Sequence, residues 1–127
     1  MHEPPRPTEA ELEVLNVLWT IGPATVRVVY EDISTRRVAQ YSTILKFMQI
    51  MAEKGLVVRD ESQRAHVYSA AKPREWTQKQ LAGDLLHRAF SGSAKALLIG
   101  ALSAQKAGQK ELRELRQLLD DYEAGKR

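Results

Sequence analysis

Four polar side chains, Ser42, Thr43, Lys46 and Gln49, recur at helical spacing in the segment 40–58. They combine short hydrogen-bonding groups with one cation, which is the set that a helix needs to contact base edges and phosphates in the major groove of DNA. Each of them taken singly is explained equally well as solvated helix surface. It is the group, in its structural setting, that indicates DNA recognition.

An apolar stripe on the opposite side of this segment predicts that the helix is anchored in a core. Its members recur at i, i+4, i+7 and i+8 and are Ile44, Met48, Met51 and Ala52, with Leu45 beside them. Gly55, which follows Lys54, is typical of a helix end in the left-handed conformation. Tyr41, at the helix entrance, either donates to a phosphate or packs on the preceding helix, and we favour the phosphate contact.

Two further helices are predicted before this one. Thr8 and Glu11 form a capping box that begins the first helix, and Gly22-Pro23 ends it. The segment 25–33 is ambiguous, because its β-branched residues favour a strand whereas its apolar spacing favours a helix. We prefer a short helix capped by Thr25.

A β-hairpin is predicted after the third helix. Segments 56–60 and 65–70 have the composition of two strands around a polar turn. From this hairpin, Arg64 and His66 would contact phosphates or the minor groove. Three helices and a hairpin over residues 8–72 are the order of a winged helix-turn-helix DNA-binding domain. The expected fold class is therefore mainly α with a small β-hairpin wing.

Residues 73–123 show helical patterns only, and we expect them to form a dimerisation domain. Roughly fifty residues in three helices are too few to bury so much apolar surface internally, which makes self-association the favoured solution. The expected contacts are Leu97, Leu98, Leu102, Leu112, Leu115 and Leu119. The alternative is that these helices pack back on the first half to form one monomeric core.

Composition excludes several classes of function. The 127-residue chain has no cysteine, which excludes disulfide scaffolds and thiol catalysis, and its three histidines are scattered. We therefore expect no enzyme, metal or cofactor. The absence of a long apolar run or a secretory signal predicts a soluble, cytoplasmic protein. In residues 36–73, seven basic side chains stand against three acidic ones, a net +4 that suits phosphate contacts or merely solvates the surface.

Short strings along nearly the whole chain carry a family resemblance. They are TEAELEVLNVLW from Thr8, ATVRVVYEDI from Ala24, YSTILKFM from Tyr41, EKGLV from Glu53, RAHVYS from Arg64, KALLIGAL from Lys95 and ELRELRQLL from Glu111. In this order and spacing they resemble the penicillinase-repressor family, the BlaI/MecI transcriptional repressors. The resemblance implies a helix for the ambiguous segment and a homodimer that represses by occupying a palindromic operator. In the matching positions, it makes Tyr41, Ser42, Thr43 and Lys46 the recognition-helix contacts.

Two places depart from that family's pattern. Gln49-Ile50 stands where members often have Arg, which removes one expected phosphate contact. In antibiotic-responsive members, a membrane sensor-protease pathway leads to cutting of an Asn-Phe bond in the tail, and an ungapped alignment puts Gly100-Ala101 there. The resemblance therefore leaves open whether a sensor-protease pathway is a partner and whether the tail is cut at or near Gly100-Ala101, and it does not establish a link to β-lactams. The Cys-rich tail of copper-responsive relatives is also missing.

A second class of function is compatible with the same fold. Winged helices also serve as protein-interaction adaptors or as non-specific architectural DNA binders, so the fold alone does not decide. Steep salt dependence with a sequence preference would favour the repressor, whereas weak, sequence-blind binding would favour the alternatives. A dimeric repressor would have half-sites about one helical turn, or a small multiple of it, apart.

Overall fold

The structure, a computed structural model, describes residues 5–125. It confirms the predicted fold class, since six helices accompany one small antiparallel sheet over this range. In chain order the elements are α1 (Glu9–Ile21), β1 (Ala24–Thr25), α2 (Val26–Ser34), α3 (Tyr41–Lys54), β2 (Val57–Asp60), β3 (Val67–Ala70), α4 (Arg74–Ala89), α5 (Ala94–Ala104) and α6 (Gln109–Glu123).

The chain divides into two compact units, one that ends at Ala82 and one that begins at Gly83. This division falls inside α4, whereas the sequence-based division falls between residues 72 and 73, just before α4 begins. The assignment of residues 8–72 to DNA binding and of 73–123 to dimerisation stays a prediction. No helix in the described range is long and apolar enough to cross a membrane.

The core of the first unit lies where α1, α2 and α3 meet the sheet. The predicted stripe of α3 is buried there, because Ile44, Met48 and Met51 are at most 1% exposed. They pack with Val14, Leu15, Val17, Leu18, Ala24, Val26, Val29, Ile33, Leu56, Val57 and Tyr68. Burial of one such side chain contributes about 1.5 to 3 kcal/mol. The stripe therefore fixes the orientation of α3 and determines which of its faces meets solvent.

The helix boundaries follow local capping. The predicted box is present, with Glu11 N–H donating to Thr8 Oγ1 at 3.2 Å and Thr8 N–H donating to Glu11 Oε1 at 3.0 Å. Thr25 caps α2 by accepting from Val28 N–H at 3.3 Å, so the ambiguous segment is helical as preferred. At the end of α3, Gly55 adopts the left-handed conformation with φ 83° and ψ 15°.

The wing contains one more strand than the sequence predicts. The predicted hairpin is confirmed as β2 and β3, which pair from Val57 opposite Ala70 to Asp60 opposite Val67. The third strand, β1, pairs with the other edge of β3 and gives the order β1-β3-β2. Its two residues are too few to show a periodic pattern. A tertiary pairing with β3 creates this strand, and sequence analysis missed it.

The first turn of α4 is fastened to α1 within the first unit. Trp19 Nε1 donates to the carbonyl oxygen of Lys72 at 2.9 Å, and Arg74 Nη2 donates to Thr20 Oγ1 at 2.9 Å. The Arg74 guanidinium also lies 5.8 Å from the centre of the Trp19 ring. These contacts make the beginning of α4 part of the winged helix.

The second unit contains the end of α4 with α5 and α6. Ser93 caps α5 by accepting from Ala96 N–H at 3.0 Å. Neither α5 nor α6 contains a buried residue. Of the expected dimer contacts, Leu97, Leu112 and Leu115 are partly buried, whereas Leu98, Leu102 and Leu119 are exposed. Much of the apolar surface of these two helices is thus open in the single chain.

Candidate nucleic-acid interface

The polar face of α3 points to solvent. Ser42, Thr43, Lys46 and Gln49 are all exposed, and the buried stripe lies behind them. The N-cap residue Gln40 makes no side-chain hydrogen bond to the helix, so no capping group offsets the positive end of the helix dipole there. The structure therefore brings together the four side chains that sequence analysis selected, on a rigid element and next to a positive helix end.

Most cations of the basic segment are paired with acidic side chains. Arg36 pairs with Asp32 one turn away on α2, and Arg59 Nε contacts Glu61 Oε2 at 2.7 Å. Two longer-range pairs connect the turn before α3 and the end of α3 to α1: Arg37 Nη2 with Glu13 Oε1, and Lys54 Nζ with Glu11 Oε2, each at 2.7 Å. These four cations already have an acidic partner within the protein, so the net +4 of the sequence overstates the charge available to a phosphate.

The two long-range pairs shift the pKa values of their carboxyl groups. Hydrogen bonds from the Arg37 guanidinium lower the pKa of Glu13. Burial raises the pKa of Glu11, but hydrogen bonds from Lys54 and from the backbone of Thr8, together with the Lys54 charge, outweigh burial and lower it overall. Both carboxylates are therefore stabilised in their charged form by contacts that exist only in the folded state.

Lys46 and Arg64 are the cations of this segment that keep their charge available. Neither forms an ion pair or a hydrogen bond within residues 5–125. Lys72 differs from both, since its Nζ lies 5.0 Å from the centre of the Trp76 ring. Lys46 on the recognition face and Arg64 on the wing are thus placed for contacts outside the protein.

The wing residues lie in the connection between β2 and β3. Arg64 and His66 are both exposed there. The connection begins with a turn in which Ser62 N–H donates to Asp60 Oδ1 at 2.9 Å, and this backbone hydrogen bond lowers the pKa of Asp60. Arg59 takes no part in this exposed set, because the Tyr68 hydroxyl and then the Glu61 carboxylate hold its guanidinium and raise its pKa.

A groove beside the second half of α3 changes the expected role of Gln49. It is lined by residues of α3 and of the following strand: Gln49, Ala52, Glu53, Val57, Val58, Arg59 and Glu61. The carboxylates of Glu53 and Glu61 would repel a phosphate, whereas an amide or a carboxylate suits a base edge. The cationic end of the interface is therefore the first half of α3.

Tyr41 makes the contact that the sequence analysis did not favour. Its ring packs edge-on against Tyr30 of α2, with the ring centres 5.7 Å apart and the planes at 77°. The ring remains 37% exposed. Packing on the second helix is thus observed, and a phosphate contact by the hydroxyl stays a prediction.

Sequence reasoning overlooked Arg27. Its guanidinium carbon lies 4.6 Å from the centre of the Tyr41 ring and 5.8 Å from that of Tyr30. The spacing from Arg27 to Tyr30 on one helix is a local signal that could have been noticed. The larger contact, with Tyr41 across the turn, depends on the packing of α2 on α3 and has no local signal. Over the described residues, there is no group of three acidic or histidine side chains placed to hold a metal ion.

Comparison with known proteins supports the resemblance drawn from sequence. The transcriptional regulator BlaI of Mycobacterium tuberculosis is 35% identical over 92% of this chain and 85% of that protein. The penicillinase repressor of Staphylococcus aureus is 22% identical over 88% of this chain and 89% of its own.

Two solved structures share the fold of somewhat more than half of this chain. The DNA-binding domain of the repressor BlaI superposes with a TM-score of 0.51 at 24% identity, over 58% of this chain and 90% of that one. The monomeric form of Bacillus licheniformis BlaI, solved with the blaP half-operator, superposes with a TM-score of 0.50 at 24% identity. The match covers 59% of this chain and 92% of that one. The family model described as penicillinase repressor matches residues 7–121. Since that match covers most of the chain, this protein belongs to the penicillinase repressor family.

Proposed function

We propose that this protein represses transcription in the cytoplasm by binding, as a homodimer, to a palindromic DNA operator. The observation that carries this proposal is the exposed face of α3, where short polar side chains surround the unpaired Lys46. The relatives support it, since one is named a transcriptional regulator and another a penicillinase repressor, and Bacillus licheniformis BlaI was solved with a half-operator. The proposal assigns the protein no enzymatic role.

The residues of the interface divide by the part of DNA that each would contact. Ser42 and Thr43 in the first turn of α3 would reach base edges, because the first turns of a recognition helix normally do so. Lys46 would contact a base or a phosphate from the middle of the helix, and Gln49 would contact a base edge. Arg64 and His66 would contact phosphates or the minor groove from the wing.

The open apolar surface of the second unit supports the homodimer. Leu98 is 38%, Leu102 37% and Leu119 59% exposed in the single chain. Burying the exposed remainder of each side chain would contribute about 0.5 to 2 kcal/mol, and a second copy related by two-fold symmetry can supply that burial. A two-fold axis would also set the separation of the half-sites at about one helical turn or a small multiple of it.

Release of such a dimer by tail cleavage would require α5 to open. The Gly100-Ala101 bond lies inside α5, and Gln105 N–H still donates to the carbonyl oxygen of Ala101 at 3.0 Å. A protease acts on locally unfolded backbone, so an intact helix protects the bond. A sensor-protease pathway, if it acts on this chain, would therefore need the tail to unfold first or would cut elsewhere.

Protection of the DNA upstream of the protein's own gene tests the proposed function. Purified protein is compared on that DNA and on unrelated DNA of equal length at physiological salt. A discrete protected palindrome is expected. Weak, uniform protection of both DNAs would instead favour an architectural protein, and binding to neither DNA would favour a protein-interaction adaptor or an operator elsewhere.

A further inference from the structure

One arginine outside the recognition helix is held against it by aromatic rings. Arg27 belongs to the first turn of α2, and its guanidinium carbon lies 4.6 Å from the centre of the Tyr41 ring. Tyr41 is the first residue of α3, and its ring is braced by the edge-on contact with Tyr30. A cation over an aromatic face is attracted by the ring quadrupole. The guanidinium is therefore positioned beside the entrance of α3.

No acidic side chain neutralises this arginine. Within the described residues, Arg27 forms no ion pair and donates no side-chain hydrogen bond, although Glu31 lies one turn further along the same helix. Arg36, in the turn that follows α2, behaves differently, since it pairs with Asp32. Arg36 is thus neutralised within the protein, whereas the charge of Arg27 remains available to a ligand.

The contact with the rings leaves the N–H groups of the guanidinium without a hydrogen-bond partner among the described residues. A guanidinium uses its planar face against a ring and its N–H groups in the plane, which match two phosphate oxygens at once. The side chain is exposed, so those donors face solvent in the free protein. Fixing its orientation in advance reduces the entropy lost when a phosphate binds.

We propose that Arg27 binds a backbone phosphate of the DNA next to the entrance of α3, and that Tyr41 and Tyr30 hold its guanidinium for that contact. This inference rests on the proposed function. The ligand is a phosphate, since Arg27 lies on the first helix of the helix-turn-helix, the element that crosses the DNA backbone while the second helix enters the groove. Tyr41 thereby positions the Arg27 guanidinium, in addition to any contact that its own hydroxyl makes with DNA.

Salt-dependent binding of the Arg27→Ala variant tests the proposal. Affinity is measured for the full-length protein on its protected DNA and on unrelated DNA, at several salt concentrations. Each phosphate contact contributes about 0.9 to the slope of log affinity against log salt. The variant should lose about 0.9 from the slope for each half-site occupied, and its affinity should fall by a similar factor on both DNAs.

Two further variants separate the contact from general effects. Arg36→Ala removes an equally basic side chain that lies just after α2 and is paired with Asp32, and it should keep the wild-type slope. Arg27→Lys keeps the charge and loses the planar two-point contact, so its slope should stay near that of wild type while its affinity falls.

The outcomes distinguish this inference from the proposed function. A wild-type slope in Arg27→Ala, or an equal loss in Arg36→Ala, would overturn the phosphate contact. Wild-type affinity in Arg27→Lys would overturn the two-point contact of the planar guanidinium with a phosphate. Failure of the wild-type protein to prefer any DNA sequence would instead overturn the specific repressor, and the slope comparison on unrelated DNA would still decide the role of Arg27.

Discussion

Replacing Leu115 by Asp is expected to convert the proposed dimer to monomers. Leu115 lies on α6 on the same side as Leu112, Leu119 and Tyr122, and the last two are 59% and 65% exposed. Leu115 itself is already partly buried in the single chain. Burying the rest of its side chain in a dimer would therefore stabilise the dimer by about 1 kcal/mol for each copy. Two-fold symmetry doubles that loss, and excluding two carboxylates from water adds at least as much again. A total of about 4 kcal/mol raises the dissociation constant about a thousandfold.

Light scattering on a dilution series, with sedimentation equilibrium for the dissociation constant, measures this change. Gln117→Asp is the matched control, because it adds the same charge to the opposite side of α6. It removes the exposed hydrogen bond that Gln117 Nε2 donates to Asp121 Oδ1 at 2.9 Å and places a second carboxylate one turn from Asp121. Circular dichroism checks that both variants stay helical. A Leu115→Asp protein that stays dimeric at the concentrations where wild type is dimeric would refute the assignment of this stripe, as would equal dissociation of the control.

Three further predictions concern the interface, the fold and the tail. Lys46→Ala should weaken operator binding and lower its salt dependence, since Lys46 is unpaired in the protein; unchanged affinity and slope in titrations would remove its contact role. Glu11→Gln should lower the free energy of unfolding at pH 7 by about 1 to 2 kcal/mol, because Lys54 and the Thr8 N–H lose a charged acceptor. The folded-state pKa of Glu11 lies below its ordinary value of 4.5, so its contribution is complete above that pH and is lost as the pH falls through the lowered value. Urea unfolding should therefore show a shallower loss of stability toward acid in the variant, and parallel curves for both proteins would contradict this. In limited proteolysis followed by mass spectrometry, the Gly100-Ala101 bond should be cut more slowly than exposed loop bonds; preferential cutting there in the dimer would show that α5 opens readily.

Local signals were sufficient for the helices of the winged domain. The capping pair of Thr8 and Glu11 and the stripe through Met48 are short-range patterns, and the structure confirms both. In the segment 25–33, burial at Val26, Val29 and Ile33 follows helical spacing, so packing and the Thr25 cap prevail over β-branched strand preference. Strand β1 and the contact between Arg27 and Tyr41 both join residues far apart in sequence. Neither leaves a local pattern, and both were missed.

The sequence could not predict which cations are available to DNA. The count of cations in residues 36–73 indicates a DNA-binding surface, but the acidic partners of Arg37 and Lys54 lie 24 and 43 residues earlier, on α1. Those ion pairs connect the helix-turn-helix to α1. They also neutralise Arg37 and Lys54, so that these two cations attract phosphates less strongly. Arg27 lies outside the segment with the net positive charge, yet it is unpaired and held at the entrance of α3. Counter-ion release depends on cations that face DNA without an internal partner, so the salt dependence of binding should follow Arg27, Lys46 and Arg64 rather than the total charge of the segment.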